Sequence, residues 1–301
     1  FQAEDGIRDK RGGLVGSEMC IRDRLRKKGL LENTLIVMTS DNGMPFPRAK
    51  ATLYDYGTRM PLAMYWKGHI EGGKRIKSFM NFIDFAPTFL EAANLEVGDG
   101  FSGSSLLKLF DEKHQKIDSD QVFLERERHA NVRKGDLSYP SRAVRTKDFL
   151  YIRNFEPDRW PAGDPAVHQS VGQFGDVDNS ISKFLIMAME DRSTDKDYYK
   201  LAFGKRPAEE FYVLSKDPFN LHNEIGNPRY TEIIKTMRKD LSHWMQSTDD
   251  LRATEPNTDY WDKVLYTPDY QLDNFDLEEK IDSYKMLARD GGGFKELECI
   301  P

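Results

Sequence analysis

The chain has little cysteine, no long apolar run and no excess of positive charge, and each shortage removes a class of protein. Two cysteines in 301 residues, Cys20 and Cys299, form neither a disulfide framework nor a zinc site on their own. The longest apolar runs, such as residues 184–189 (FLIMAM), fall far short of the roughly 20 residues that a membrane-spanning helix needs. No polybasic stretch marks a membrane-surface patch. The formal net charge is −6, from 44 basic and 50 acidic residues. A nucleic-acid binder needs a basic face to displace counterions, so this balance argues against one. Internal repeats are missing as well, apart from Ile7-Arg8-Asp9 recurring as Ile21-Arg22-Asp23.

What remains is an ordinary globular composition, 39% hydrophobic and 31% charged, with enough chain for one large domain or two modest ones. Residues 3–24 (AEDGIRDKRGGLVGSEMCIRDR) stand apart. They hold few apolar residues and keep neither a helical nor a strand period. The stretch resembles the translated read-through of a sequencing adapter, and residues 1–24 are expected to form an artefactual or disordered arm outside the core.

From residue 25 the pattern becomes regular. Residues 25–29 read as a last helical turn, with Lys27 and Lys28 suited to its C-terminal dipole and Gly29 to its cap. Residues 34–39 (TLIVMT) read as a buried parallel strand. Residues 44–60 form an irregular loop, 61–66 a second strand, and Asp84 can cap a helix running to about Ala93. The character then changes. Residues 121–125, 141–145, 149–154 and 210–214 read as strands. Residues 230–246 are the clearest helix, with Ile233, Ile234, Met237, Leu241, Trp244 and Met245 at helical spacing for a face packed on a sheet. The expected division is an α/β portion over 25–115, an α+β portion over 116–250, and an extended tail over 251–301 pinned by Tyr260, Trp261, Tyr266 and Tyr270.

Chemistry gathers at Asp41-Asn42-Gly43, directly after the first strand. Carboxylate and amide oxygens are hard ligands suited to Ca²⁺ or Mg²⁺, and glycine lets the backbone turn sharply beside an ion. The same three residues also make an ordinary turn. The flanking sequence weights the first reading. Residues 25–44 (LRKKGLLENTLIVMTSDNGM), 45–66 (PFPRAKATLYDYGTRMPLAMYW), 81–95 (NFIDFAPTFLEAANL) and 211–228 (FYVLSKDPFNLHNEIGNP) resemble, in order and spacing, segments of the sulfatase family of the alkaline-phosphatase superfamily. The loop 43–54 and residues 125–154 look most like heparan N-sulfatases (N-sulfoglucosamine sulfohydrolases).

The resemblance implies a fold, the C-terminal part of an alkaline-phosphatase-like α/β/α sandwich. A smaller α+β subdomain with an antiparallel sheet and one long helix would follow. It implies that Asp41 and Asn42 are Ca²⁺ ligands and that Lys50 grips sulfate, with Arg48 as the competing cation. Asn42 favours a sulfatase over phosphatases of the superfamily, which commonly have Asp-His here and bind softer metals. Within Glu125-Arg126-Glu127-Arg128-His129, the bland reading is a solvated strand end, and the functional one brings His129 to sugar or sulfate. Arg159-Trp160-Pro161 reads as a packed loop rather than a sugar platform.

The implied activity is hydrolysis of sulfate from a sulfated sugar, N-sulfated glucosamine first, by a formylglycine and calcium mechanism. Alternatives are an O-sulfatase of another glycan or a non-catalytic sulfated-glycan binder. Cys20-Ile21-Arg22-Asp23-Arg24 only approximates the family's C-x-P-x-R formylglycine motif, with Arg22 in the proline position, and Cys20 is read as a chance match. The formylglycine is therefore expected in a missing N-terminal part, and the 301 residues alone are expected to be inactive and to bind calcium poorly. A periplasmic, secreted or lysosomal location follows from the family, and the oligomeric state stays open.

Overall fold

The computed structural model describes residues 14–110, 120–166, 172–190 and 197–264. In chain order these hold α1 (Leu14–Lys27), β1 (Ile36–Thr39), α2 (Asp55–Thr58), β2 (Leu62–Tyr65), α3 (Phe85–Ala92), β3 (Gln121–Arg126), β4 (Ser141–Thr146), β5 (Phe149–Asn154), α4 (Ile181–Met187), α5 (Tyr198–Phe203), β6 (Glu209–Val213), α6 (Thr231–Ser247) and α7 (Leu251–Thr254). No helix among the described residues is long and apolar enough to cross a membrane. The chain divides into two compact units. One is drawn from Phe1–Ser40 and Pro61–Ser119, the other from Asp41–Met60 and Asp120–Pro301.

In the first unit, α1 ends as its sequence predicts. Arg24, Arg26 and Lys27 fill the last turn, Gly29 takes φ 69°, and the Leu30 amide donates back to the Leu25 carbonyl at 3.0 Å. The first strand departs from expectation. β1 pairs with β2 in antiparallel register, Ile36 opposite Tyr65 and Thr39 opposite Leu62, and its residues are half-buried or exposed. An apolar run specifies a strand but not the direction or number of its neighbours, and among the described residues β1 has β2 alone. Asp84 also works differently from a helix cap. A 3₁₀ turn (Phe82–Asp84) precedes α3, so the Asp84 backbone is already helical. Its carboxylate instead accepts the Asn81 amide at 2.7 Å and the Ser104 amide at 2.9 Å. Gly103 is required there, since a Cβ would lie 2.2 Å from the Ile83 carbonyl oxygen.

The second unit is built on a four-stranded antiparallel sheet in the order β3-β4-β5-β6. Alternation along its strands sends Val144, Tyr151, Phe211 and Val213 to one face and Ala143, Leu150, Ile152, Tyr212 and Leu214 to the other. The first face receives Ile234, Met237, Leu241 and Met245 of α6, the stripe expected from its spacing. The second face receives Leu53 and Tyr54. The loop after Asp41-Asn42-Gly43 is therefore pressed on the sheet opposite the long helix. A third cluster, Phe174, Val177, Phe184, Met187 and Phe203, packs α4 and α5 together, with Trp160 against it. Arg159-Trp160-Pro161 is thus a packed loop, Arg159 pairing with Asp262 at 2.9 Å. In the tail, Tyr260 is exposed, while the Trp261 carbonyl accepts Arg128 at 2.6 Å. Tyr266 and Tyr270 lie outside the described residues.

Candidate functional site

The loop from Asp41 to Met60 owes its shape to side chains that turn inward. Arg48 donates to the Leu201 carbonyl at 2.9 Å and to the Asn220 carbonyl, and its guanidinium covers the Tyr54 ring at 4.0 Å. The Tyr54 hydroxyl donates to Glu210 at 2.7 Å, and Asp55 forms a two-pronged pair with Arg145 at 3.0 and 3.1 Å. Arg48 and Ala51 both have left-handed φ, 62° and 61°, a conformation that costs L-residues energy and is held by these anchors. Gly43 packs so closely that a Cβ would sit 2.4 Å from the Tyr56 carbonyl oxygen.

Arg48 is committed to backbone carbonyls, whereas Lys50 meets a carboxylate. Its ammonium lies 3.1 Å from both carboxylate oxygens of Asp178. Its backbone amide donates to the Met44 carbonyl at 3.0 Å, which closes the turn beginning two residues after Asn42. Asp41 is exposed and Asn42 half-buried, the Asn42 amide resting 3.0 Å from the Asp41 carboxylate.

His129 meets the same segment two residues earlier. Its Nδ1 lies 3.0 Å from Asp176, whose other oxygen takes both Arg126 and Arg133. Burial alone would raise the Asp176 carboxyl, but Arg126 and Arg133, helped by the hydrogen bond to His129, hold it well below the ordinary range. The imidazole remains partly exposed, so its Nε2 is the edge available to a ligand once Asp176 holds the Nδ1 proton. One short stretch, Asp176-Val177-Asp178, thus ties Lys50 to His129. Val177 between them is buried, as is Asp176.

That stretch is itself clamped. The Asp176 amide donates to the Ala162 carbonyl at 3.0 Å. The buried Lys183 ammonium donates to the Val177 carbonyl at 2.8 Å and to Asn179 at 3.1 Å. Burial draws the Lys183 ammonium down to about 8, against the pull of Asp178 and Asp176. Sequence reasoning named Lys50, Arg48 and His129 but missed Asp176, Asp178, Arg133 and Lys183. It also read Glu125-Arg126-Glu127 as a solvated strand end, whereas Arg126 and Glu127 are largely buried in ion pairs.

Asp41 and Asn42 have the hard oxygens that calcium prefers. Among the described residues, however, no group of three or more His, Cys, Asp or Glu gathers where an ion could be held. A calcium shell takes about 6–8 oxygens, so the donors fit in kind and fall short in number. Cys20 is exposed on α1.

Three comparisons bear on this arrangement. Residues 21–95 match the family model described as Sulfatase. An ulvan-active sulfatase of Formosa agariphila is 27% identical over 236 residues, covering 76% of this chain and 36% of that protein. Human N-sulphoglucosamine sulphohydrolase is 26% identical over 266 residues, covering 84% of this chain and 48% of that protein. The chain therefore spans less than half the length of either relative. The solved structure of BT4656 in complex with its substrate D-glucosamine-2-N,6-O-disulfate superposes with a TM-score of 0.52 at 22% identity, over 77% of this chain and 38% of that one. Over the superposed part the chain has the fold of that structure, and residues 21–95 carry its similarity to the Sulfatase family model.

Proposed function

We propose that the chain serves the removal of sulfate from a sulfated saccharide, with N-sulfated glucosamine as the preferred residue. The observation that carries this reading is the joining of Lys50 and His129 through Asp176-Val177-Asp178. It sets a cation for sulfate and a directional imidazole for the sugar on one short support. Lys50 would exchange Asp178 for the sulfate oxygens and neutralise their charge, a preorganised electrostatic contribution. His129, its Nδ1 proton fixed by Asp176, would offer Nε2 to a sugar hydroxyl or to the sulfated nitrogen. Asp41 and Asn42 would supply part of a calcium shell. When bound, the ion would polarise sulfate oxygens. No nucleophile is assigned to residues of this chain, and sulfate release by the 301 residues alone would overturn that assignment.

Two relatives support a sulfated glycan as the ligand, the human N-sulphoglucosamine sulphohydrolase and BT4656 with its glucosamine disulfate. The ulvan-active sulfatase favours a second reading, an O-sulfated polysaccharide. Titrating the protein with N-sulfoglucosamine, glucosamine 6-O-sulfate and unsulfated glucosamine, followed by the His129 ring resonances, separates the two. The proposal expects the N-sulfated sugar to bind most tightly and Lys50→Ala to weaken it about tenfold or more, the size of a charge-assisted hydrogen bond. Binding that ignores both the sulfate and Lys50 would sink it.

A further inference from the structure

Asp176 and Asp178 share one short stretch and are partnered differently. The Asp176 side chain is 2% exposed and pairs with Arg126, Arg133 and His129. The Asp178 side chain is 42% exposed, and among the described residues its ion-pair partner is Lys50 alone. Both of its carboxylate oxygens lie 3.1 Å from that one ammonium. The backbone on either side is anchored. Lys183 holds the Val177 carbonyl at 2.8 Å and the Asn179 side chain at 3.1 Å, and the Ser180 hydroxyl accepts the Lys183 amide at 3.2 Å to open α4. Asp178 is thus a half-exposed carboxylate on an anchored mount, and its one cation is the cation assigned to sulfate.

A sulfate on Lys50 changes what Asp178 faces. An anion accepting from the ammonium stands within about 6 Å of a carboxylate bonded to the same ammonium, since each hydrogen bond spans about 3 Å. Like charges so close repel, and one ammonium balances only one of them. The anchored backbone cannot carry Asp178 away, and an ionised carboxylate offers acceptors and no donor. What relieves it is a donor carried by the ligand. A hydroxyl next to the sulfate on a saccharide is such a donor, and its hydrogen bond to a carboxylate is charge-assisted. Inorganic sulfate brings none.

We infer that Asp178 is a specificity-determining residue, accepting a hydrogen bond from a sugar hydroxyl that neighbours the sulfate and turning away anions without such a donor. This rests on the reading of Lys50 as the sulfate contact. Without ligand, the same carboxylate occupies Lys50, so a simple anion has to displace it and gives nothing back. A hydroxylated sulfated sugar supplies a new anion for Lys50 and a new donor for Asp178 together. A site built in this way rejects the analogue that lacks the hydroxyl.

Calorimetric titration of the 301-residue protein with N-sulfoglucosamine, cyclohexyl sulfamate and inorganic sulfate tests it. Cyclohexyl sulfamate carries the same N-sulfo group on a six-membered ring without hydroxyls. The unaltered protein is expected to prefer N-sulfoglucosamine to cyclohexyl sulfamate about tenfold or more. Asp178→Ala gives up one partly exposed ion pair and should fold. It should erase most of that preference while inorganic sulfate binds more tightly. Asp178→Asn keeps an acceptor without the charge, so it should also tighten sulfate yet retain part of the preference for the sugar. An unchanged preference in Asp178→Ala would overturn the inference. So would weaker binding of inorganic sulfate, which would make Asp178 an orienter of Lys50 and not a reader of the sugar. Failure of the underlying reading shows differently: Lys50→Ala would then bind inorganic sulfate as the unaltered protein does, and both readings would fall.

Discussion

Two buried arginine clusters lie in the second unit, and they are built to different rules. Arg142 and Arg252 share Glu127, and Arg142 also pairs with Asp250. Arg142 lies 2.7 Å from each carboxylate, and Arg252 meets Glu127 through two bonds of 2.7 and 2.9 Å. Charges balance, and neither arginine has a buried nitrogen without a partner. Arg126 and Arg133 share Asp176 alone, and each keeps one nitrogen unpaired. The first cluster ties β4 to the start of α7. The second carries His129 on its rim and lines the same pocket as Lys50. A fold that needs only rigidity can satisfy every group, whereas groups left unsatisfied mark where something else is to bind.

The largest expected effect comes from removing the shared carboxylate. Asp176→Asn leaves two buried guanidiniums with no counterion and should cost about 3–5 kcal/mol. Asp250→Asn leaves both arginines of the balanced cluster still bound to Glu127 and should cost less, about 1–3 kcal/mol. Urea unfolding of the two variants measures the gap, and equal losses would break the comparison. Acid sharpens it. The Asp176 carboxyl is held below its unfolded value, so its contribution is fully present above about pH 4 and fades as pH falls further. The penalty of Asp176→Asn should therefore be constant near neutrality and shrink below about pH 4.

Next in size is Lys183, which clamps the Val177 carbonyl between Asp176 and Asp178. Its ammonium titrates near 8 in the folded protein because burial opposes the charge. The unfolded chain holds that proton up to about pH 10.4, so between these values the unfolded state binds more protons and stability rises with pH. Relative to Lys183→Met, the unaltered protein should gain stability from pH 8 to pH 10 and show a constant difference below pH 7. Denaturant midpoints at a series of pH values would register this, and a flat difference would mean the ammonium is not desolvated.

The two clusters also mark what sequence could tell. The four strands of the second unit and the stripe of α6 were legible because period 2 and period 3.6 are local signals. Lys50 and His129 came from resemblance and spacing, and the structure brings both to one segment. Asp176 and Asp178 were missed because Gly-Asp-Val-Asp (175–178) has the composition of any polar loop. Its partners lie 43 to 50 residues away for Asp176 and 128 for Asp178, and no local pattern encodes such distances. β1 was misjudged for the related reason that an apolar run does not say which strand lies beside it. Arg126 was hidden by alternation that does describe Glu125, which is exposed, but not its neighbour.

The smallest expected change in stability is at His129, and it separates support from function most directly. The imidazole is partly exposed and gives the cluster a single hydrogen bond, to an Asp176 already held by two arginines. His129→Asn should therefore cost about 1 kcal/mol or less in unfolding. If His129 served only to complete the cluster, that small loss would be its whole effect. If Asp176 instead exists to aim it, affinity for N-sulfoglucosamine should fall by about tenfold or more in His129→Asn while inorganic sulfate, read by Lys50, still binds. Equal losses for the sugar and for sulfate would place His129 with the scaffold. A selective loss for the sugar would make the unbalanced cluster a mount for ligand recognition, and the balanced one its structural counterpart.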